Sequence, residues 1–467
     1  MSEEKPNILF LFTDDQRFDT IQALGNSAIK TPNLDRLTAR GCVFNQAHIP
    51  CGTSGAVCMP SRAMVHSGRS LFHIEGAGQK IPKDHTTLGE ALQTNGYQTF
   101  GTGKWHNGTE SFNRSFCDGD EIFFGGMADH WNVPAHHYDS TGCYDNYLAE
   151  VRNPSGDNEV NWRHCDHINS GKHSSDMVCD AAIDFIREQD GKNPFFAYVS
   201  FLAPHDPRTM PKKFLDMYDP DDIELPPNYM GGHPFDTGAL KIRDEKLADF
   251  PRTPEETRRH IAEYYGMISH LDDQLGRVIK TLEDQGELDN TIVVFAGDNG
   301  LALGQHGLMG KQNCYDHSVR VPLIFAGPGI PEASQNDAYV YLHDIFPTLC
   351  ELTGTDIPES VEGKSLVEIM KNTDNKIRDS LYFAYTDLQR AVKAQNYKLI
   401  EYAVPERERV TQLFDLVSDP YELNNLAYNE EYSTTLAELR NEIVRLRDEW
   451  DDQQSEWGER FWGRMTF

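Results

Sequence analysis

The chain has 467 residues, 39% of them hydrophobic and 25% charged, a composition typical of a large folded protein with one α/β body and an appendage or two fused units. Its 43 Lys and Arg against 73 Asp and Glu give a formal net charge of −30, which argues against a nucleic-acid partner, because such a partner requires a basic surface. No apolar run is long enough to cross a bilayer; "NILFLF" has only the length of a strand.

The chain opens with "MSEEKPN", which lacks the basic start and apolar centre of a secretory signal. We therefore expect a soluble protein that either stays in the cytoplasm or is periplasmic or secreted after loss of a signal peptide. The net negative charge would repel an anionic substrate at long range. At high salt this repulsion is screened and a local basic pocket could still attract the anion, so the acidity is compatible with a salty habitat. Compartment and oligomeric state stay open at this point.

Short β-rich runs alternate with helical patterns through most of the chain. The runs lie at 8–12, 97–100, 195–201, 291–296 and 321–326. Helical periodicity occupies 177–188 and 263–284 between them. This alternation predicts an α/β fold with a large, mostly parallel sheet sandwiched by helices.

The texture of the sequence changes near residue 376. From there three β-rich runs and a charged helix at 434–450 indicate a smaller antiparallel sheet packed by a helix. We predict an N-terminal α/β domain over 1–375, which contains the polar motifs described below, and a C-terminal subdomain over 376–467. Two stretches, 107–175 and 206–255, look irregular, and loops of that length in a compact domain are usually functional or flexible.

Acidic pairs follow two of the predicted strands. Asp14 and Asp15 follow the first, and Asp298 and Asn299 follow the run that ends at 296. Ligands in an open α/β sheet bind beyond the carboxyl ends of the strands, and such oxygen atoms suit Ca²⁺ or Mg²⁺ rather than zinc. The alternative is that these residues cap the following helices. Helix capping accounts for only one carboxylate at a strand end. Adjacent pairs of polar residues at two strand ends therefore favour a metal site.

Basic residues follow the same strand ends. Lys104 and His106 come after the run at 97–100, His205 after that at 195–201, and Lys311 shortly after the second acidic pair. Each alone is more often a solvated surface residue than a catalyst. Their shared position brings residues that are distant in sequence to one rim of the sheet.

Cys58 begins the motif "CMPSR" ahead of a predicted helix. A helix N-terminus favours bound anions, and Arg62 adds a permanently charged planar donor. Two alternatives are a thiolate nucleophile and a disulfide with Cys51. A thiol hydrolase has no need of an oxygen-ligated cation. The nine cysteines contain no C-x-x-C pair, so no zinc or thioredoxin signature is present.

Together these motifs resemble the type I sulfatases of the alkaline phosphatase superfamily. The C-x-P-S-R signature, whose cysteine is converted to formylglycine, stands at 58–62. The blocks "NILFLFTDDQRFD", "GYQTFGTGKWH", "DNTIVVFAGDNG", "HGLMGKQNCYDHSVRVPLIFAGPG" and "QLFDLVSDPYELNNLA" look like sulfatase blocks in sulfatase order, over 7–428. One departure is that Ser67-Gly68 replaces the usual Thr-Gly after the signature.

The resemblance implies roles for the residues that match. The cation, usually calcium with magnesium as the alternative, would be bound by Asp14, Asp15, Asp298, Asn299 and the modified Cys58. Arg62 would hold the formylglycine hydrate, Lys104 would contact it and the sulfate, and His106 would be its base. His205 and Lys311 would bind the sulfate and assist the leaving oxygen. A formylglycine-generating enzyme is then an expected partner during maturation.

The implied reaction is hydrolysis of a sulfuric ester, in which the hydrated aldehyde attacks sulfur and later expels sulfate. Relatives with the same site act on phosphonate or phosphate esters, so these remain the enzymatic alternative. A catalytically silent receptor for sulfated glycans is another class. It is disfavoured because every expected site residue is present.

The substrate expected is a sulfated polysaccharide or oligosaccharide, such as an algal galactan or ulvan, with a small ester of the choline type as alternative. The stretch 107–175 matches no general family block, and we expect it to supply the pocket walls. The candidates for stacking on sugars or bonding hydroxyls are Trp105, just before this stretch, and Trp131, His136, His137, Tyr138, His164 and His167 within it. Packing of a long loop is the alternative for most of them, and His164 with His167 is a weak candidate for a partial metal site.

Overall fold

The computed structural model describes residues 5–151, 153 and 155–465, so the first four residues of the opening segment lie outside it. Eight strands form the large sheet within the described chain. In chain order they are β1 (Asn7–Thr13), β2 (Gly41–Phe44), β3 (Gln98–Lys104), β4 (Asp118–Phe123), β5 (Phe195–Ser200), β6 (Thr291–Gly297), β7 (Leu323–Ala326) and β8 (Ser334–Asn336). Their spatial order is β8-β2-β7-β6-β1-β5-β3-β4.

Strand β1 lies inside the sheet and pairs in parallel with β5 and β6. Strand β3 continues the parallel pairing between β5 and β4. Only β7 is antiparallel to its neighbours, β6 and β2. All seven residues of β1 and all seven of β6 are buried, as expected of parallel strands covered on both faces. The predicted mostly parallel sheet is confirmed.

Nine longer helices cover the sheets in the described chain. They are α1 (Pro32–Ala39), α2 (Cys58–Ser67), α3 (Leu88–Thr94), α4 (Thr109–Ser115), α5 (Ser174–Glu188), α6 (Pro254–Gln285), α7 (Ile345–Thr353), α8 (Ser433–Glu449) and α9 (Glu456–Arg464). Shorter helices lie at Lys212–Leu215, Asp316–Val319 and Val367–Lys371. Helices α5 and α6 confirm the helical patterns predicted at 177–188 and 263–284.

The local sequence explains where α6 begins and ends. Thr253 caps the helix by accepting a hydrogen bond from the backbone N–H of Glu256, and Pro254 occupies the first turn. Gly286 ends it with φ +76°, a left-handed conformation that favours glycine. Buried residues of α5 and α6 pack with Leu9 and Leu11 of β1, while alternate residues of β1 face the opposite layer. The two faces of β1 therefore pack against two different helical layers.

The C-terminal part forms a second sheet. Its strands are β9 (Ser380–Tyr385), β10 (Gln389–Ala394), β11 (Tyr397–Tyr402) and β12 (Val410–Asp415), each antiparallel to the next. A fifth strand, Cys51–Gly52, pairs in parallel with β9 and comes from the segment just before α2. The antiparallel sheet and its helix α8 match the sequence prediction, and the boundary at 375 stays a prediction. One hydrophobic cluster contains residues of both parts.

The stretch 107–175 is more regular than expected. It contains α4 and β4, and a hairpin of Tyr147–Val151 and Val160–His164 projects from it. Two-residue strands at Pro134–Ala135 and His167–Ile168 pair within the same stretch.

Elsewhere, another short pair joins Ala47–His48 to Val340–Tyr341. No helix in the described part of the chain has the length and apolar character needed to cross a membrane.

Candidate active site

The two acidic pairs meet at the carboxyl ends of β1 and β6. These strands are parallel neighbours, so the residues that follow them emerge side by side. The backbone N–H of Asp15 donates to Oδ1 of Asp298 at 3.0 Å, and Nδ2 of Asn299 donates to Oδ1 of Asp15 at 2.6 Å. Asp14 and the other three side chains are buried. The structure brings together all four residues predicted from the strand ends.

This cluster fits a hard divalent cation. Oδ1 of Asp14 and Oδ1 of Asn299 are buried and have no hydrogen-bond partner, which is costly for polar atoms unless something else satisfies them. Ligand atoms of Asp14, Cys58 and Asp298 lie within 4.8 Å of one another. Carboxylate and amide oxygens are the ligands that Ca²⁺ and Mg²⁺ prefer.

Each of the three carboxylates also has a buried cationic partner. Nζ of Lys104 lies 2.5 Å from Oδ2 of Asp14, and Nζ of Lys311 lies 2.5 Å from Oδ1 of Asp15. Nε of Arg62 donates to Oδ2 of Asp298 at 2.8 Å. Burial opposes ionisation of Asp14, but Lys104 and the other nearby cations outweigh it and lower the pKa of that carboxyl below its usual value.

Cys58 is the first residue of α2 and is 1% exposed. Nζ of Lys104 donates to its Sγ at 3.4 Å, and Nδ1 of His106 lies 3.6 Å from the same sulfur. Burial raises the pKa of the Cys58 thiol although Lys104 and Lys311 act to lower it. A thiolate nucleophile needs a lowered pKa, so the site does not suit cysteine-protease chemistry.

The alternative of a disulfide between Cys51 and Cys58 is excluded. Both cysteines are free, and the thiol of Cys51 donates to the backbone oxygen of Asn313 at 3.5 Å. Burial raises the pKa of Cys51 well above its usual value, as expected of an inert core thiol. Cys51 therefore takes no part in the site.

The end of β3 is bent so that Lys104 and His106 both reach Cys58. The pairing with β4 is irregular between Thr102 and Gly103, and Gly103 has φ +80°. A Cβ there would lie 1.7 Å from the backbone oxygen of Ser200, so only glycine fits. His106 itself has φ +71°. The sequence prediction that both side chains face one pocket is confirmed, but the backbone is not a regular strand.

Arg62 joins α2 to three strand ends. Besides Asp298, Nη1 donates to Oγ of Ser200 at 2.5 Å and to the backbone oxygen of Lys104 at 3.1 Å. Nη2 is buried without a partner. Burial acts to lower the pKa of the guanidinium, but the charge of Asp298 outweighs burial, so the pKa is raised above its usual value. Arg62 thus remains a charged donor with one N–H group free.

The remaining predicted basic residues, His205 and Lys311, lie on loops next to the same carboxylates. Nε2 of His205 is 3.7 Å from Oδ2 of Asp15, while its Nδ1 lies 2.7 Å from the backbone oxygen of Asp206. Burial lowers the pKa of His205, and it lowers the pKa of His106, aided by Lys104, to about 2. Both imidazoles are therefore neutral near pH 7.

Sequence reasoning missed the residues that hold the Lys311 loop. Glu245 is buried and binds Arg252, with Nη2 to Oε2 at 2.6 Å. Its neighbour Asp244 accepts a hydrogen bond from Nε2 of Gln312 at 2.6 Å. The only signal for them was the location of 244 and 245 inside the irregular stretch 206–255.

The predicted pocket walls do not converge on this centre. Trp105 is 0% exposed and packs against Phe112 and Phe116, so no face of its ring is available, and its assignment to a pocket wall is wrong. His136 is likewise buried, at 2%, with its ring packed on Tyr144, and is corrected in the same way.

The other candidates lie farther out on the long segment. Trp131 is half-buried against His173, and the hydroxyl of Tyr138 donates to the backbone oxygen of Phe116. His164 is exposed on the hairpin. His137 stacks on His167, and each pairs with an acidic residue, Asp120 and Glu121 respectively. Among the described residues, no cluster of metal-ligand type includes His164 or His167.

A buried cysteine at a helix N-terminus, placed among carboxylates and lysines at strand ends, defines an α/β enzyme built to bind an anionic ester group. A family model described as sulfatase matches residues 6–355, and one described as N-sulphoglucosamine sulphohydrolase, C-terminal, matches residues 304–449. The chain belongs to the sulfatase family of the alkaline phosphatase superfamily.

Relatives span nearly the whole chain. An arylsulfatase of Clostridium perfringens is 30% identical over 94% of this chain and 94% of its own length. An ulvan-active sulfatase of Formosa agariphila is 28% identical over 95% of this chain and 82% of its own length. A solved structure in complex with its substrate D-glucosamine-2-N,6-O-disulfate has a TM-score of 0.77 at 23% identity, covering 97% of this chain and 99% of that one, and shows the same fold.

Proposed function

We propose that this protein removes sulfate from a sulfated carbohydrate, with Cys58 converted to formylglycine and Ca²⁺ bound beside it. The observation that carries the proposal is the placement of the Cys58 sulfur, with Nζ of Lys104 at 3.4 Å and Nδ1 of His106 at 3.6 Å. The group that stands on residue 58 is thus in contact with a cation and with a neutral base. The acidic cluster lies directly beneath them.

The cation would be held by the side chains of Asp14, Asp15, Asp298 and Asn299, with the modified residue 58 completing the set. The unpartnered oxygens of Asp14 and Asn299 support this assignment. When bound, a divalent cation supplies positive charge to the sulfate oxygens and to the nucleophilic oxygen. Mg²⁺ would use the same oxygens, but the larger ligand number that Ca²⁺ accepts suits a cluster of three carboxylates and an amide.

Formylglycine at position 58 would supply a hydrated aldehyde with two hydroxyl groups. The oxygen of one would attack sulfur and displace the sugar hydroxyl, and the other would lose its proton as the aldehyde re-forms and sulfate leaves. Arg62 keeps an unpartnered N–H group and fixes Asp298, so it orients the nucleophile and the acidic cluster together. His106 is neutral and therefore able to take a proton from the hydroxyl on residue 58.

Lys104 and Lys311 stabilise negative charge on the transferring group. Both ammonium groups are buried, where electrostatic interactions are stronger than in water. His205 lies across the acidic cluster, with Nε2 3.7 Å from Oδ2 of Asp15 and Nδ1 on the backbone oxygen of Asp206. Once the negative charge of a bound sulfate group has favoured its protonation, the imidazolium would donate the Nε2 proton to the leaving oxygen. The side chains of Lys104, Lys311 and His205 would thus surround the sulfate group that is transferred.

The carbohydrate substrate is supported by the name of the ulvan-active relative and by the near-complete overlap with it. Ulvan or an algal galactan is the particular polysaccharide we propose. A choline-type ester would need no extended surface, and a phosphonate or phosphate ester would use the same core residues.

The test uses protein produced together with a formylglycine-generating enzyme. We expect peptide mass spectrometry to find formylglycine at residue 58 and Cys58→Ala to abolish hydrolysis of an aryl sulfate while preserving the fold. Cys143→Ala, at an exposed cysteine, is the matched control. Undiminished turnover in Cys58→Ala would refute the mechanism.

Two substrate comparisons test the rest of the proposal. We expect an aryl sulfate to be hydrolysed faster than an aryl phosphonate, and the reverse order would assign the enzyme to phosphonate ester hydrolysis. We also expect sulfate release from at least one of ulvan, carrageenan and glycosaminoglycan oligosaccharides. Release from choline sulfate alone would overturn the carbohydrate assignment.

A further inference from the structure

Arg208 is a buried arginine that lacks an acidic partner. It follows His205 by three residues and is 9% exposed. Nη1 donates to Nδ1 of His260 at 3.0 Å, while Nε and Nη2 are enclosed without a hydrogen-bond partner. Across the described chain, no carboxylate lies within 4.0 Å of this guanidinium.

This arrangement is unusual within the molecule. The other fully buried arginines each contact a carboxylate: Arg62 with Asp298, Arg252 with Glu245 and Arg390 with Asp452. Burial of an unpaired charge is costly, and the chain has 73 acidic residues from which a partner was available. His260 does not balance the charge, because burial together with Arg208 lowers its pKa to about 3 and keeps it neutral.

The unpartnered atoms form the edge of the guanidinium that binds oxyanions in pairs. Arg390 uses its Nε and Nη2 to hold the two oxygens of Asp452 at 2.6 and 2.8 Å. Arg17 holds Asp19 through the same two atoms at 2.8 and 2.7 Å. The corresponding edge of Arg208 thus has the shape that receives a carboxylate or sulfate with two parallel hydrogen bonds.

Arg208 also lies beside the site described above. Its guanidinium carbon is 6.0 Å from the ring centroid of Tyr264, whose hydroxyl donates to the backbone oxygen of Asp15 at 2.6 Å. The charges of Asp15 and Asp244 act on Arg208 without pairing with it. One aromatic ring therefore separates Arg208 from the backbone of the acidic cluster.

We propose that Arg208 binds a second anionic group of the substrate, a carboxylate or a further sulfate on the sugar that carries the sulfate to be removed. This inference rests on the proposed function and specifies the substrate as a doubly anionic sugar. Because Nε and Nη2 do not reach solvent, the anion engages them with a movement of residues in 206–210. Arg208 is then a specificity-determining residue of the sulfatase reaction.

The test compares three glycosides of one sugar: monosulfated, disulfated, and monosulfated with a carboxylate at a neighbouring carbon. We expect Arg208→Gln to lower the preference for the doubly anionic sugars, as the ratio of kcat/KM values, by at least about tenfold, mainly through KM. Arg208→Lys, which keeps the charge but not the paired edge, should lose part of the preference. The disulfated and carboxylated arms identify which anion is bound.

A stability measurement separates this role from a structural one. We expect Arg208→Gln to leave the thermal midpoint unchanged or to raise it, because it removes an unpaired buried charge. Arg390→Gln is the matched control and should lower the midpoint, since Asp452 then loses its partner. If Arg208→Gln does not fold, the ratio measured on Arg208→Lys decides.

The outcomes are distinguishable from a failure of the proposed function. If the wild-type enzyme hydrolyses none of the sulfated sugars, the proposed function fails. If it hydrolyses them and Arg208→Gln lowers all three kcat/KM values equally, or changes none, the role of Arg208 is overturned. A lowered midpoint with an unchanged ratio overturns that role as well.

Discussion

The carboxylate of Glu245 accepts a hydrogen bond from the backbone N–H of Gly310 at 2.9 Å, directly before Lys311 in the chain. The adjacent N–H of Met309 donates to the other carboxylate oxygen at 3.0 Å. Nη2 of Arg252 donates at 2.6 Å to Oε2, the oxygen that also accepts from Met309. Glu245 therefore acts on the reaction through the position of Lys311 and is a positioning residue.

We predict that Glu245→Gln lowers kcat for an aryl sulfate by about tenfold, a cost of about 1.4 kcal/mol. The amide nitrogen of Gln cannot accept a hydrogen bond from the backbone N–H that faces it, so the Lys311 loop loses one anchor. Steady-state kinetics should show the loss in kcat with KM little changed. A merely structural role predicts a lower thermal midpoint with wild-type kcat at low temperature, which would contradict the positioning role. Glu224→Gln, at an exposed residue, is the control.

Removal of divalent cations with a chelator should abolish turnover without unfolding the protein. The pairs Asp14–Lys104, Asp15–Lys311 and Asp298–Arg62 balance one another's charge in the folded state. We expect the thermal midpoint to fall by a few degrees on chelation, as for loss of a ligand that binds only the native state.

Addition of Ca²⁺ should restore activity more fully than addition of Mg²⁺. Calorimetry and sulfate release on the same samples provide the measurement. Full activity in the presence of excess chelator would rule out a cation role for the acidic cluster.

The buried charges beneath the small sheet should matter for stability and not for chemistry. Nζ of Lys398 binds Oδ1 of Asp316 at 2.5 Å and Oε1 of Glu422 at 2.7 Å. Lys398→Met leaves two buried carboxylates short of a partner, and we expect a loss of about 3–5 kcal/mol in the free energy of unfolding.

Urea unfolding measures this loss, with kcat at low temperature expected to stay at the wild-type value. The matched control is Lys212→Met, which removes an exposed pair with Asp216 and should cost less than about 0.5 kcal/mol. Equal losses in both variants would contradict the assignment of Lys398.

His73 should give the protein a pH-dependent contact between its two parts. Nδ1 lies 2.8 Å from Glu362 and Nε2 lies 3.0 Å from Asp451. The hydrogen bond to Glu362 raises the pKa of His73, and the pKa of Glu362 falls to about 2 because His73 and Ser70 outweigh burial, so the acid stays ionised. A raised histidine pKa stabilises the fold below the unfolded value, and this stabilisation is lost as pH rises through the folded one.

We therefore predict that His73→Gln costs about 0.5–1 kcal/mol near pH 5.5, a modest figure because solvent screens this half-buried site. The cost should vanish near pH 9. Urea unfolding of both proteins at the two values measures it. A larger loss in the free energy of unfolding near pH 9 than near pH 5.5 would contradict the predicted direction of the pH dependence.

The sequence predicted the mostly parallel sheet and the residues of the acidic cluster because both follow from local patterns. Continuous apolar runs mark β1 and β6, and the polar residues just after them, Asp14 and Asp298, can only lie at the carboxyl edge of a parallel sheet. Lys104 and Cys58 were located by the same reasoning together with the family resemblance.

What the sequence did not show depends on contacts between distant segments. Trp105 looks like a sugar-stacking residue from its neighbours, but α4 covers its ring. Glu245 and Arg208 lie in a stretch without periodicity, and their roles depend on which groups the folded chain places opposite them. Pairing of a charge across the fold has no local signature.

The strand Cys51–Gly52 completes a sheet whose next strand, β9, is synthesised more than 300 residues later. Cys58 and Arg62, the first and last residues of the C-x-P-S-R motif, are at most 1% exposed once the chain is folded. A modifying enzyme, which the proposed function requires, would therefore have no access to Cys58 in the folded chain. On the mechanism proposed above, the oxidation would have to take place before the C-terminal strands complete the fold, and a chain that folded first would keep a plain thiol at position 58.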